Sequence, residues 1–281
     1  MRFKNSWRGS VVKRFFALSL VLALSLVVVP VAMANPVDSL VGAWLFDEGK
    51  GPLAPDSSGF WQDGMINNPE WTAGRYGNAL EFVPGAGTYV EIEPSGALAI
   101  TDELTITAWV YLNEMAAGNP VCLTWPADNC QLFNSRIVQA GTYDPVNLFW
   151  GIEDNYYRLL IEFGNFIFQV GPGANPPSIQ VPMAQVLKPG EWIHIAGVYT
   201  GRELQLYVNG ELIASQASSG RLIPPSNSRI FIGTKSPQAP VSDGWNGLID
   251  EVAIFRKGLS GEEIKLVMDG LYKLLAEHHI S

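Results

Sequence analysis

Carboxylates at alternate positions of one strand can serve as acid and nucleophile in glycosidic-bond cleavage. Glu91 and Glu93 have that spacing, but Pro94 follows and no third acid accompanies them. They are expected on a solvated strand face. Asp250 and Glu251 are adjacent. Neighbours on a regular strand point to opposite faces, which argues against a catalytic pair there. The histidines are His194, His278 and His279. His194 lies in an apolar run and is expected as a hydrogen-bonded core residue, while the other two sit near the chain end. No Gly-x-Ser-x-Gly, His-Glu-x-x-His or Walker-type loop occurs. These residues give no catalytic set, so the expectation is a non-enzyme.

Binding chemistry has more material. Sugar rings stack on exposed Trp and Tyr, with a few polar groups fixing orientation. Trp125, Tyr156 and Tyr157 beside Asp154-Asn155, and Trp245 are the candidates in loop-like or polar surroundings. Trp44, Trp109 and Trp192 sit in apolar runs and are read as core. Cys122 and Cys130 are the two cysteines. In an oxidising compartment they would staple one loop, whereas two free thiols are the alternative. Their spacing, with no histidine pair nearby, is not that of a zinc site.

The elements that must carry these residues begin after a leader. Arg2, Lys4, Arg8, Lys13 and Arg14 precede an apolar run from Phe15 to Val29, and Ala32-Met33-Ala34 follows Pro30. This is the layout of an export signal cleaved after Ala34. A retained anchor is the alternative, since Phe15 to Ala34 is about long enough to span a bilayer. The expectation is a signal over 1–34 and one domain over 35–281, secreted or extracytoplasmic. Without the leader the chain has 13 Lys and Arg against 27 Asp and Glu, a formal charge of −14. That sign disfavours nucleic acid and anionic membranes as partners, and no membrane insertion is expected once the signal is removed.

Strand signals dominate. Short runs rich in Val, Ile, Thr, Tyr, Phe and Trp recur between Gly, Pro, Asn and Asp. They predict strands near 41–46, 79–83, 88–93, 104–112, 136–140, 147–152, 157–162 and 165–170, then 191–199, 203–208, 211–216, 229–234 and 247–255. Leu104, Ile106, Ala108 and Val110 share one face, and Trp192, His194, Ala196 and Val198 another. Asn209-Gly210 predicts a type I′ hairpin within a meander from Glu191 to about Gln216. Residues 113–135 and the proline-rich stretch 171–190 read as irregular. Ser260-Gly261-Glu262-Glu263 is a capping box, and Ile264, Val267, Met268, Leu271 and Leu275 continue it as a helix over about 260–276.

Several phrases, in order, resemble laminin-G-like jellyroll modules of the concanavalin-A-like lectin/glucanase superfamily, in their bacterial secreted form. They are Trp44-Leu45-Phe46-Asp47-Glu48-Gly49, Gly74-Arg75-Tyr76-Gly77-Asn78-Ala79-Leu80, Leu104 to Val110, Trp192 to Ala196, Leu206 to Gly210, and Gly247 to Phe255. The resemblance implies an all-β fold, a two-sheet antiparallel jellyroll sandwich with its core over 40–258 and one C-terminal helix. It also implies a structural Ca2+ between the first and last strands. The matching positions are Asp47 and Asp250, with Asp56 as a third candidate; hydrogen bonding to backbone N–H groups, or an Asx-turn for Asp56, is the alternative. The function implied is a secreted non-catalytic module for carbohydrate or glycosylated protein. A structural or adhesive surface protein that binds another protein stands second, and a glycoside hydrolase with an unfamiliar site third.

Overall fold

The computed structural model describes residues 35–113, 135–143, 152–171, 176–225, 227–237 and 244–278. Residues 1–34, both cysteines, Trp125 and all but the last residue of the strand expected near 147–152 lie outside them. The described strands begin with β1 (Leu40–Trp44), β2 (Leu53–Ala54), β3 (Gly64–Asn67), β4 (Glu70–Ala73), β5 (Asn78–Phe82) and β6 (Tyr89–Ile92). Next come β7 (Leu104–Leu112), β8 (Ser135–Tyr143), β9 (Ile152–Glu162), β10 (Asn165–Val170) and β11 (Ser178–Pro182). The last are β12 (Trp192–Tyr199), β13 (Glu203–Val208), β14 (Glu211–Ala217), β15 (Ser228–Ile232) and β16 (Gly247–Phe255). Two helices follow, α1 (Gly261–Met268) and α2 (Leu271–His278).

The strands form two antiparallel sheets. One runs β14-β13-β12-β7-β16-β5-β4, with β1 also paired to β16. The other runs β11-β10-β9-β8-β15-β6-β3-β2. Their facing sides make the main core. Leu104, Ile106, Ala108 and Val110 of β7 point into it, as their alternation predicts. The meander β12-β13-β14 is also as expected, with Asn209 at φ +49° and Gly210 at φ +77° in its turn.

The other set of alternating residues faces elsewhere. Ala196 and Val198 of β12 belong to a second apolar layer on the opposite side of the first sheet. There they meet Ala253 and Phe255 of β16 and are covered by Ile264 and Val267 of α1 and Leu271 and Leu275 of α2. One helix was expected over 260–276, and the chain instead makes two. The break falls at Gly270, whose φ of +130° no residue inside an α-helix adopts. The capping box is present as read: Glu263 N donates to Ser260 Oγ, and Ser260 N to Glu263 Oε2. The stretch 171–190 is less irregular than its prolines suggest. Its centre pairs as β11 along β10, at the sheet's edge, where a missing N–H is tolerated.

Candidate functional site

The face of the first sheet that carries the helices also carries a tightly bonded group of carboxylates. On one edge of β16, Gly247–Ile249 pair with β5, and further along Val252–Phe255 pair with β1. On the opposite edge the register against β7 slips between Asp250 and Ala253. One extra residue is accommodated, with Glu251 at φ +44°. This is a β-bulge, and it changes where side chains go. Asp250 Oδ2 accepts the backbone N–H groups of Arg75 (2.8 Å) and Tyr76 (3.1 Å), and its Oδ1 accepts that of Glu251 (2.7 Å). Glu251 Oε2 accepts Leu271 N at the start of α2 (2.9 Å). The two adjacent acids therefore both meet the loop-and-helix layer, and the opposite-face expectation fails because the strand is not regular there.

The glycines of Gly74-Arg75-Tyr76-Gly77 are explained by the same geometry. A Cβ on Gly74 would lie 2.6 Å from Asp250 Oδ2, and one on Gly77 (φ +49°) 1.9 Å from Asp47 Oδ1. Asp47 Oδ1 also accepts Asn78 N at 3.0 Å, and Asn78 Nδ2 donates to Asp47 O at 3.0 Å. Asp47 and Asp250 thus grip the 74–78 turn from two sides. Burial pushes the Asp250 carboxyl up to about 8, against the pull of the three N–H donors and helped by the charge of Glu251. Burial likewise raises Glu251 to about 7, against the Leu271 and Tyr272 N–H groups, with Asp47 adding to the rise. Carboxyls shifted this way can mark active sites. Here they are fully enclosed, at 0% and 3% exposure, and cannot touch a substrate.

What the gripped turn presents is a cleft of ≈ 500 Å³ lined by Arg75, Trp109, Glu191, Trp192, Asn209 and Met268. The Arg75 guanidinium lies 4.6 Å from the centre of the Trp109 ring and 5.5 Å from that of Tyr76. Tyr76 is fixed in turn by donating its hydroxyl to Met268 O at the end of α1 (3.0 Å). Strand register assembles the remaining wall. Trp192 pairs with Tyr111 and His194 with Trp109 across β12 and β7, so their rings meet, the first pair tilted at 5.6 Å and the second edge-to-face at 5.3 Å. Trp192 is half-buried. Asn209 accepts His194 N through Oδ1 at 2.9 Å. His194 is buried as expected, but its Nδ1 has no hydrogen-bond partner. Burial holds the ring neutral, with its pKa lowered to about 3.

The aromatic candidates named from sequence are elsewhere. Tyr156, Tyr157 and Trp245 are 0%, 1% and 0% exposed, where exposed rings were expected. The reason for the tyrosines is another bulge. Ala140 pairs with Tyr157 and Gly141 with Asn155, leaving Tyr156 as the extra residue. Both rings then face the main core, 4.7 Å apart, and burial raises both hydroxyls well above their ordinary pKa. Trp245 is a core residue whose Nε1 donates to Leu248 O at 3.2 Å. Glu93 is exposed, as expected, while Glu91 is partly buried, and both pair with Arg229, Glu93 at 2.8 Å. Arg75, Trp192 and the very exposed Trp61 (88%) went unread as binding residues. The signal for Trp192 is cross-strand pairing on one face, which needs the register, and that for Arg75 is the Asp250 carboxylate that holds its turn.

The carboxylates do not fit a calcium ion. Calcium takes six to eight oxygens. Both oxygens of Asp250 and one of Asp47 already point at N–H hydrogens. Asp56 is fully engaged at a different place: Oδ1 accepts Ala43 N and Ser58 N, both at 2.9 Å, and Oδ2 accepts Ser58 Oγ (2.7 Å) and Gln62 N (3.1 Å). That is the Asx-turn reading. Among the described residues no group of three or more His, Cys, Asp or Glu is placed to hold a metal. A chelator is therefore expected to leave the thermal midpoint unchanged. A calcium site at a hundredfold excess over Kd would add about 2.7 kcal/mol of stability, a rise in midpoint that calorimetry would detect.

Residues 84–265 match the Laminin_G_3 family, described as the concanavalin A-like lectin/glucanases superfamily. The chain belongs to that superfamily. The jellyroll expected from the ordered phrases is the one observed, with a second helix added. Among solved structures, this jellyroll is similar to the binding domain of Paraclostridial Mosquitocidal Protein 1, with a TM-score of 0.61 and 14% identity over 83% of this chain and 52% of that one. It is also similar to the botulinum neurotoxin serotype D ligand binding domain solved with N-acetylneuraminic acid, at 0.59 and 16%, over 83% and 51%. A structure of botulinum neurotoxin type C, in work on its cell entry through two ganglioside molecules, gives 0.60 and 16%, over 85% and 53%. The jellyroll spans about half the length of these chains, and at such identities the likeness is one of fold. No curated protein matches the chain.

Proposed function

We propose that this jellyroll is a secreted, non-catalytic module that binds saccharide in the cleft beside α1. The observation that carries the reading is the Arg75–Trp109–Trp192 wall. A half-buried Trp192, the buried Trp109 and a cation line one cleft, and two carboxylates fix the turn that carries the cation. A preformed apolar surface with a few oriented polar groups is what sugar recognition needs. The neurotoxin domains of similar fold offer a parallel: one is seen with N-acetylneuraminic acid, and type C depends on gangliosides for cell entry. Hydrolysis is disfavoured by the chemistry. The two carboxyls with raised pKa are enclosed, and Glu91 and Glu93 are held by Arg229. Export through the 1–34 signal and a Cys122–Cys130 staple complete the proposal.

The test is an array of glycans probed with residues 35–281 and with Trp192→Ala. Binding by the parent chain is expected, and the variant is expected to weaken it about tenfold or more, as loss of a central aromatic anchor does. Protein docking is the second reading, favoured by Phe60 and Trp61. These are 44% and 88% exposed on a loop whose Trp61 backbone is held at φ +60°. A silent array, with capture of a protein partner that Trp61→Ser abolishes, would replace the saccharide reading with that one.

A further inference from the structure

Most of the free polar groups in the cleft are donors. Glu191 is the one acid in the lining, exposed and paired through Oε2 with Lys188 at 3.5 Å, and Asn209 Oδ1 is taken by His194 N. The Met268 carbonyl is taken by the Tyr76 hydroxyl. Glu191 apart, the side-chain polar groups of the cleft left without a partner are donors. They are the Arg75 guanidinium, the Asn209 amide Nδ2, and the indole N–H groups of Trp192 and Trp109, the last of them buried. Lys273 adds a second cation near Tyr76, its Nζ donating to Asp269 O at 2.9 Å and lying 5.9 Å from the Tyr76 ring centre and 5.5 Å from that of Tyr272. Where residues 35–281 carry −14, two cations and a set of donors gathered here stand out against the general field.

The chemistry of Arg75 narrows the ligand further. Its Cζ lies 4.6 Å from the centre of the Trp109 ring, and a guanidinium presents its N–H donors as a planar fork. That fork matches two oxygens held in one plane, as in a carboxylate. Trp192 offers a half-buried ring face at the far side of the same cleft, suited to the C–H face of a pyranose. We infer that the cleft takes a sugar unit bearing a carboxylate, its acid group on the Arg75 fork and its ring against Trp192. A uronic acid and a sialic acid share this chemistry. The inference rests on the saccharide reading above and names its substrate class.

The experiment measures affinity by tryptophan fluorescence or calorimetry for four probes on the parent chain. They are an oligosaccharide ending in glucuronic acid, one ending in sialic acid, and the methyl esters of both. The free acid of one or both is expected to bind about ten- to a hundredfold more tightly than its ester, the range of a hydrogen bond to a charged group. Whichever acid shows the gap identifies the source. Arg75→Gln keeps the stem and the backbone bond to Asp250, and is expected to erase the gap between acid and ester. Arg75→Lys, which keeps the charge and loses the fork, should leave a smaller gap; it provides the comparison if Arg75→Gln folds poorly. Acid and ester binding alike to the parent chain, both weakened by Trp192→Ala, would overturn the carboxylate assignment and leave the saccharide reading standing. No binding of any probe, together with a silent array, would sink both.

Discussion

Asp250→Ala is expected to lower the unfolding free energy by about 3–5 kcal/mol and to weaken ligand binding at the cleft with it. The carboxylate is fully buried and accepts three backbone N–H groups, those of Arg75, Tyr76 and Glu251. Each buried donor left without an acceptor costs about 1–3 kcal/mol. The sum is reduced because the 74–78 turn can relax towards water, Arg75 being exposed. Relaxation is what harms the cleft. Arg75 sits over Trp109 because Asp250 and Asp47 hold its backbone, so a loosened turn spreads the guanidinium over many positions. Asp56→Ala is the control. It removes an acceptor of four hydrogen bonds from a loop that does not line the cleft, and should cost stability while sparing affinity. Urea denaturation with an unchanged m-value, read beside a ligand titration, checks both. A loss below about 1 kcal/mol for Asp250→Ala would show that water replaces the carboxylate freely.

The sequence made the sandwich legible and left the site obscure, for a physical reason. Alternation such as that of Leu104, Ile106, Ala108 and Val110 is a property of one strand, and it survives any register. The cleft is a property of several strands at once. Trp192 and Trp109 come together because β12 pairs with β7 in one register, and Arg75 joins them because a β16 carboxylate reaches a turn 174 positions earlier in the chain. The bulges are harder still. A single extra residue turned Tyr156 into the core beside Tyr157, where its polar neighbours Asp154-Asn155 pointed to the surface, and another turned Glu251 towards α2, against the twofold rule. Gly74 and Gly77 were visible as a phrase, but the carboxylate oxygens that forbid a side chain there were not. Trp61 falls in a turn just past Asp56-Ser57-Ser58-Gly59, where composition alone does not distinguish a displayed ring from a folded-in one.

Asp250 and Glu251 should also make the protein more stable on the acid side of neutrality. Folding raises Asp250 to about 8 and Glu251 to about 7, from unfolded values near 3.9 and 4.3. Between those limits the folded state holds protons that the unfolded state has released, so stability falls as pH rises. The contribution is full below about pH 4, declines through pH 7 and 8 as each carboxyl ionises in place, and is lost above. A higher midpoint at pH 5 than at pH 9 is expected in calorimetry or urea titration, with a difference of several kcal/mol at about 1.4 kcal/mol per proton retained per pH unit. The N–H donors on both groups favour the charged form and already hold the two carboxyls down to about 8 and 7. General self-repulsion in an acidic chain slopes the same way, so the sign alone does not assign the effect. Glu251→Gln separates the two. It keeps an oxygen for Leu271 N and fills the position of the partnerless Oε1 with an amide that cannot ionise. It also removes the neighbouring charge that lifts Asp250. The variant should therefore lose the Glu251 share of the slope between pH 5 and 9 and part of the Asp250 share, with the surface charge untouched and Asp250 still raised by burial. An unchanged slope in Glu251→Gln would show that Glu251 takes no part in the pH dependence and leave it a purely geometric role.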